Sequence, residues 1–233
     1  MNTSTIDDEL PLAELAYREL RRAIVRCEYE PDERLRVEEL GRRFEISNTP
    51  IREALSRLAE QGLVRSIDNR GFRVAPLTVE GISDLTRVRL IIESEALRDA
   101  IQNGDDVWEA NMVASAHALS LIEQRLGQTH VALDNNWTER HRSFHLAVYS
   151  GCNSPLLKVM VEQLFDNAER YRRYSASHRQ TERIKHDEHT KILNCILTRN
   201  VDLSLELLRQ HIVSTMNTVT VALSALSIKN PKK

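Results

Sequence analysis

Residues 35–74, LRVEELGRRFEISNTPIREALSRLAEQGLVRSIDNRGFRV, read as two short helices, a tight turn and a β-hairpin, the order of a winged helix-turn-helix. Val37, Leu40 and Phe44 recur at i, i+3 and i+7, and Ile51, Ala54, Leu55 and Leu58 at i, i+3, i+4 and i+7, so each helix has one face to bury. Only Glu45-Ile46-Ser47 separate the two. That is too short for a free loop, so the helices must cross steeply, with Ile46 plugging the angle between them. Ser47 or Thr49 can cap the second helix, and Pro50 suits its first turn. After Gly62, residues 63–67 and 72–75 alternate as strands around Asp68-Asn69-Arg70-Gly71, a hairpin turn whose residues tolerate positive φ.

The chemistry of this stretch points to double-stranded DNA. Asn48, Thr49 and Arg52 project from the N-terminal end of the second helix, a set suited to phosphates and to base edges in a major groove, with Arg52 the prime base reader. Arg70 and Gly71 form a wing tip, and Arg36, Arg43 and Ser47 complete the expected DNA-facing set. Between Arg34 and Arg73 there are nine arginines and no lysine against six acidic residues, a net of +3, whereas the whole chain carries −2. The positive charge is therefore local to the segment that needs it.

The 233 residues, 41% hydrophobic and 28% charged, leave room for a second core. No apolar run approaches a membrane span, and MNTSTIDDEL is polar and acidic rather than a signal sequence, so a cytoplasmic protein without a membrane partner is expected. Cys27, Cys152 and Cys195 are odd in number and lack CxxC spacing, which argues against a disulfide framework or a thiolate zinc site. After Pro76-Leu77-Thr78 the strand-like signals stop and helical spacing runs almost to the end. The expected helices cover 79–102, 106–126, 135–150, 154–176, 179–199 and 201–224, with Thr78 and Asp202 as N-caps of the first and the last. The fold class is thus mainly α: a winged helix-turn-helix domain over 8–76, a linker over 77–80 with Pro76 as hinge, an all-α antiparallel bundle over 81–226, and a disordered tail over 227–233.

Within the bundle the histidines carry the chemistry. His141 and His145 in HRSFH are four apart on one helical face and so converge, while His189 and His211 lie on two further helices. Neutral imidazoles from facing helices form a divalent-metal site, zinc or nickel by ligand type. An i, i+4 histidine pair is also common as two solvated or hydrogen-bonded residues, and the chain has eight histidines. A metal-dependent enzyme is a weaker alternative, because Arg142 follows His141 where the hydrolytic HExxH motif has its general base. Arg89, Tyr171 and Arg172 are candidates for holding an acidic ligand, though Arg89 and Arg172 can equally pair with Glu93 and Glu169 on their own helices.

SNTPIREALSRLAEQGLV followed by NRGFRVAPLT resembles the DNA-binding domain of the GntR family of bacterial transcription regulators. The later stretches around Arg89–Glu93, RHRSFHLAVYSGCNSPLL, EHTKIL and LLRQHI resemble the FCD effector domain of the FadR subfamily, and within it the carbon-starvation-induced regulators. The resemblance implies a homodimer on a palindromic operator, more often a repressor than an activator, released when a small carboxylate enters the helical domain. It implies metal ligands at His145, His189 and His211, with the family's aspartate position falling on His141. It suggests a five-carbon dicarboxylate, glutarate or 2-hydroxyglutarate, as effector; a regulator answering to the metal itself is the alternative. Many relatives carry arginine where this chain has Asn48, which places more weight on Arg52 and Arg70.

Overall fold

The computed structural model describes residues 11–68, 70–126, 133–178 and 186–229, which form two units dividing between Leu77 and Thr78. The first contains α1 (Leu12–Val25), β1 (Arg34–Leu35), α2 (Val37–Phe44), α3 (Asn48–Glu60), β2 (Val64–Ile67) and β3 (Gly71–Val74). Its core is apolar throughout, built on Leu20, Ile24, Ile51, Leu55, Leu58 and Leu63, none more than 1% exposed. Burying each such side chain stabilises the fold by about 1.5–3 kcal/mol. The two elements that local pattern did not announce are α1, which packs on α3, and β1, which pairs with β3 in an antiparallel sheet of order β1-β3-β2.

The turn between α2 and α3 is as tight as its length requires. Glu45 adopts the left-handed conformation at φ 57°, and the Ile46 N–H donates to the Gly41 carbonyl at 2.9 Å. A β-carbon at Gly41 would come within 2.8 Å of the Ile46 carbonyl oxygen, so the steep crossing demands glycine there. Ile46 is buried at the crossing. Ser47 rather than Thr49 occupies the N-cap position, in extended backbone and without a side-chain cap hydrogen bond. The wing closes at Gly71, φ 84°, with the Arg70 N–H donating to the Ile67 carbonyl.

The second unit is helical: α4 (Val79–Asn103), α5 (Asp106–Leu126), α6 (Asn135–Tyr149), α7 (Pro155–His178), α8 (His186–Leu197) and α9 (Val201–Lys229). The Thr78 hydroxyl accepts the Gly81 N–H at 2.9 Å and caps α4 from Val79, the start and cap that the sequence predicts. Two boundaries of α9 differ from expectation. The cap of α9 is Asn200, whose Oδ1 accepts the Leu203 N–H at 3.1 Å; Asp202 lies in the first turn, where its charge faces the positive end of the helix dipole. Finally, α9 runs through 227–229, which were assigned to a disordered tail, because no glycine or proline interrupts it before Pro231. Residues 230–233, and the 179–185 start expected for α8, lie outside the described residues. The core packs Leu97, Met112, Leu119, Phe144, Ile196 and Ile212. Among the described residues, no helix is long and apolar enough to cross a membrane.

Candidate functional site

Two sites emerge, one on each unit. On the first, Ser47, Asn48, Thr49 and Arg52 are exposed at the N-terminal end of α3, while Ile51, Ala54, Leu55 and Leu58 hold the opposite face in the core. The recognition surface is thus presented by a helix whose own packing is complete. Arg70 and Gly71 are exposed on the wing. Arg36 is exposed and pairs with Glu39 at 2.6 Å. Arg43 is exposed as well, and its guanidinium donates to the Tyr29 hydroxyl at 2.7 Å and lies over the Tyr29 and Phe44 rings, which fastens α2 to the preceding loop.

On the second unit, His141 and His145 from α6 and His189 from α8 converge in the interior. Their nearest ligand atoms lie within 4.8 Å of one another, and all three are buried. The His141 and His145 Nε2 atoms are 3.1 Å apart. Nitrogens about 2.0–2.1 Å from one tetrahedral ion are roughly 3.3 Å from each other, so this spacing fits a shared divalent metal. The His211 ring from α9 completes the cluster, its centroid 5.3 Å from that of His145 and 5.1 Å from that of His189. His211 Nδ1 stands 2.8 Å from Glu188, and an imidazole that donates from Nδ1 to a carboxylate presents its lone pair from Nε2. Burial, reinforced by the neighbouring histidines and Arg89, pushes the His145 imidazole well below its usual range and keeps it neutral, the form a metal requires.

Around the cluster, charges are buried in pairs. Arg89 donates to Glu93 at 2.5 and 3.3 Å, and Glu93 also accepts the Tyr149 hydroxyl at 2.7 Å. Burial works against the charged Arg89, but the Glu93 carboxylate outweighs it and holds the guanidinium ionised. Glu169 lies 3.7 Å from His141 Nδ1 and is bound by Arg172 at 2.6 Å. Burial alone would raise its carboxyl; the Arg172 charge and hydrogen bonds, with His141 nearby, bring it down to about 2. Tyr171 turns elsewhere. Its hydroxyl is 3.4 Å from the Thr78 N–H, at the start of α4, and a β-carbon on Gly81 would strike it. Residues two apart on a helix point in nearly opposite directions, so α7 cannot aim Glu169 and Tyr171 at one site. Of the three expected effector residues, Arg89 and Arg172 lie by the cluster and Tyr171 does not.

Glu169, Glu188 and Tyr149 are the participants that sequence reasoning did not nominate for the site. A carboxylate reaching a histidine from another helix has no local signature, although the i, i+4 pair Arg89/Glu93 and the i, i+3 pair Glu169/Arg172 do.

Comparison with known proteins bears on both sites. Residues 12–74 match the bacterial regulatory proteins of the gntR family, and residues 84–214 match the FCD domain. The chain is 38% identical over 208 residues to the uncharacterized HTH-type transcriptional regulator BphR of Paraburkholderia xenovorans, covering 89% of this chain and 85% of that one. It is 35% identical over 212 residues to the HTH-type transcriptional repressor GlaR of Escherichia coli, covering 89% and 96%. Among solved structures, a GntR-family regulator from Pseudomonas syringae superposes with a TM-score of 0.56 at 29% identity, over 94% of this chain and 89% of that one. McbR of Escherichia coli reaches 0.74 at 19% identity, over 90% and 97%, a likeness of fold.

Proposed function

This chain belongs to the gntR family of transcription regulators and carries an FCD domain, and from that premise we propose that it is a repressor whose grip on an operator is released by a small carboxylate bound beside a metal ion in the helical unit. Repression is supported by the 35% identity to the repressor GlaR. The observation that carries the effector reading is the convergence of the buried histidines with a buried, ionised arginine close by. His141, His145, His189 and His211 would hold the metal, which as a Lewis acid would bind one carboxylate of the effector. Arg89 would take the other end bidentately, by exchanging Glu93 for the ligand, and Arg172 with Glu169 would orient His141. DNA contact falls to Arg36, Ser47, Asn48, Thr49, Arg52, Arg70 and Gly71 on each protomer of a homodimer, whose two recognition helices must lie one turn of DNA apart. Effector binding releases DNA if it favours an arrangement in which they do not.

The likeness to the carbon-starvation-induced regulators, a name that BphR and GlaR do not carry, supports glutarate or 2-hydroxyglutarate as the effector. Metal analysis of the purified chain, then calorimetry with each acid before and after chelation, tests both parts. The expected result is about one zinc or nickel per chain and a binding heat that chelation or His189→Ala removes. A metal-free protein that still releases DNA on adding acid would exclude the metal; no heat from either acid while another metabolite releases DNA would exclude the five-carbon assignment. A regulator sensing the metal itself would release DNA on metal addition alone.

A further inference from the structure

The wing sheet carries a row of arginines that the recognition surface above does not use. In the β1-β3-β2 sheet, Arg73 on the central strand is the register partner of Arg34 on one side and of Arg65 on the other. The neighbours Leu35, Val64, Phe72 and Val74 face the core, so the alternation of a strand puts all three guanidinium groups on the outward face. Arg34 and Arg65 are exposed and Arg73 partly so.

Like charges placed directly opposite each other across strands destabilise a sheet. Here that cost is only partly relieved. Asp32 supplies a carboxylate to Arg65 and its backbone carbonyl to Arg73 at 2.6 Å, while Arg34 has no ion-pair partner among the described residues. Three cations thus face one acid. Two strand spacings make the row about 10 Å wide, comparable to the axial rise spanned by four successive phosphates on one strand, three steps of about 3.4 Å each. It also lies two or three residues from Arg70 at the wing tip, so a wing tip touching a duplex brings the row within roughly 10 Å of the same backbone.

We propose that the Arg34–Arg73–Arg65 row is a second DNA contact, a phosphate-binding strip that carries no sequence information and lengthens the footprint beyond the recognition helix. The proposal rests on the DNA-binding reading and adds to it a surface whose role is affinity. Asp32 tempers the strip, and its removal tightens binding.

The test is a salt titration of the full chain on a labelled duplex of arbitrary sequence, reading the slope of log affinity against log salt. Each phosphate contact contributes about 0.9 to that slope. Arg34→Ala, which breaks no ion pair among the described residues, lowers it by about 0.9, and the triple change Arg34→Ala, Arg65→Ala, Arg73→Ala by about two to three, weakening all sequences alike. Asp32→Asn has the opposite sign and raises affinity severalfold; it also separates a phosphate role from a purely structural one, which predicts only loss of stability. If the unaltered chain shows no salt-dependent binding to any duplex, the DNA-binding reading itself falls. If it binds with a steep slope that Arg34→Ala leaves unchanged and that Asp32→Asn does not strengthen, the strip is overturned while that reading stands.

Discussion

The two units place their polar chemistry on opposite sides of their surfaces. Every buried charged side chain recorded among the described residues belongs to the helical unit, from Arg89 to His211, whereas the core of the DNA-binding unit is apolar but for the Tyr29 hydroxyl, which meets Arg43. The difference follows from what each unit must meet. A duplex is larger than the domain that reads it, so its contacts lie outside, on a helix held rigid by an ordinary core. On the function proposed for the helical unit, a small anion has to be stripped of water, so its contacts would lie inside, where each charge needs a partner until a ligand arrives. Arg89 with Glu93, and Arg172 with Glu169, are such partners.

The contrast is open to direct attack. The largest effect expected is that of Arg89→Ala. It leaves Glu93 buried without its cation and costs about 3–5 kcal/mol of stability, measured by urea denaturation. Replacing both residues, by Arg89→Met with Glu93→Leu, recovers much of that loss while effector binding stays absent; a pair kept for stability alone would not behave so. On the other unit, Arg52→Ala leaves stability within about 0.5 kcal/mol because the side chain is exposed. It nevertheless costs about 1–3 kcal/mol of operator affinity at each half-site, with effector affinity unaltered. Operator affinity left unchanged by the substitution would move the recognition surface away from the N-terminal end of α3.

How much of this was legible depends on the range of the interactions involved. The helix-turn-helix reads directly because its apolar spacing, its three-residue turn and its wing are all local. The two-residue strand β1 has no period to show and exists only through its pairing with β3, where Leu35 meets Phe72, thirty-seven residues further along the chain. Helix α1 does have a readable stripe, Ala16, Leu20, Ala23 and Ile24, but two of its four members are alanines, which mark a face weakly. The histidine cluster was visible as spacing on α6, whereas Glu169 and Glu188 reach it from other helices. Helical phase separates Tyr171 from its neighbours: Glu169 and Arg172 share a face that Tyr171, lying between them with its hydroxyl at the Thr78 N–H, does not join.

Acidity separates the two units most finely. The DNA-binding unit, residues 1–77, contains no histidine, while the helical unit holds all eight. The folded His145 takes up a proton only well below the ordinary imidazole value of about 6.5, so between those limits the unfolded chain binds more protons than the folded one. Stability therefore falls as pH drops below about 6.5, by on the order of 1 kcal/mol per pH unit for each such histidine. Glu169 does not confuse the window: its folded value of about 2 against 4.5 contributes stability above pH 4.5 that is lost only below it. Denaturation of the chelated protein at successive pH values from 7.5 to 5.5 should show the helical unit weakening while the other unit's transition stays put. A shared, parallel decline would mean that the histidines are not the source. Bound metal deepens the same slope, because protons must then displace the ion from its ligands before the imidazoles can titrate.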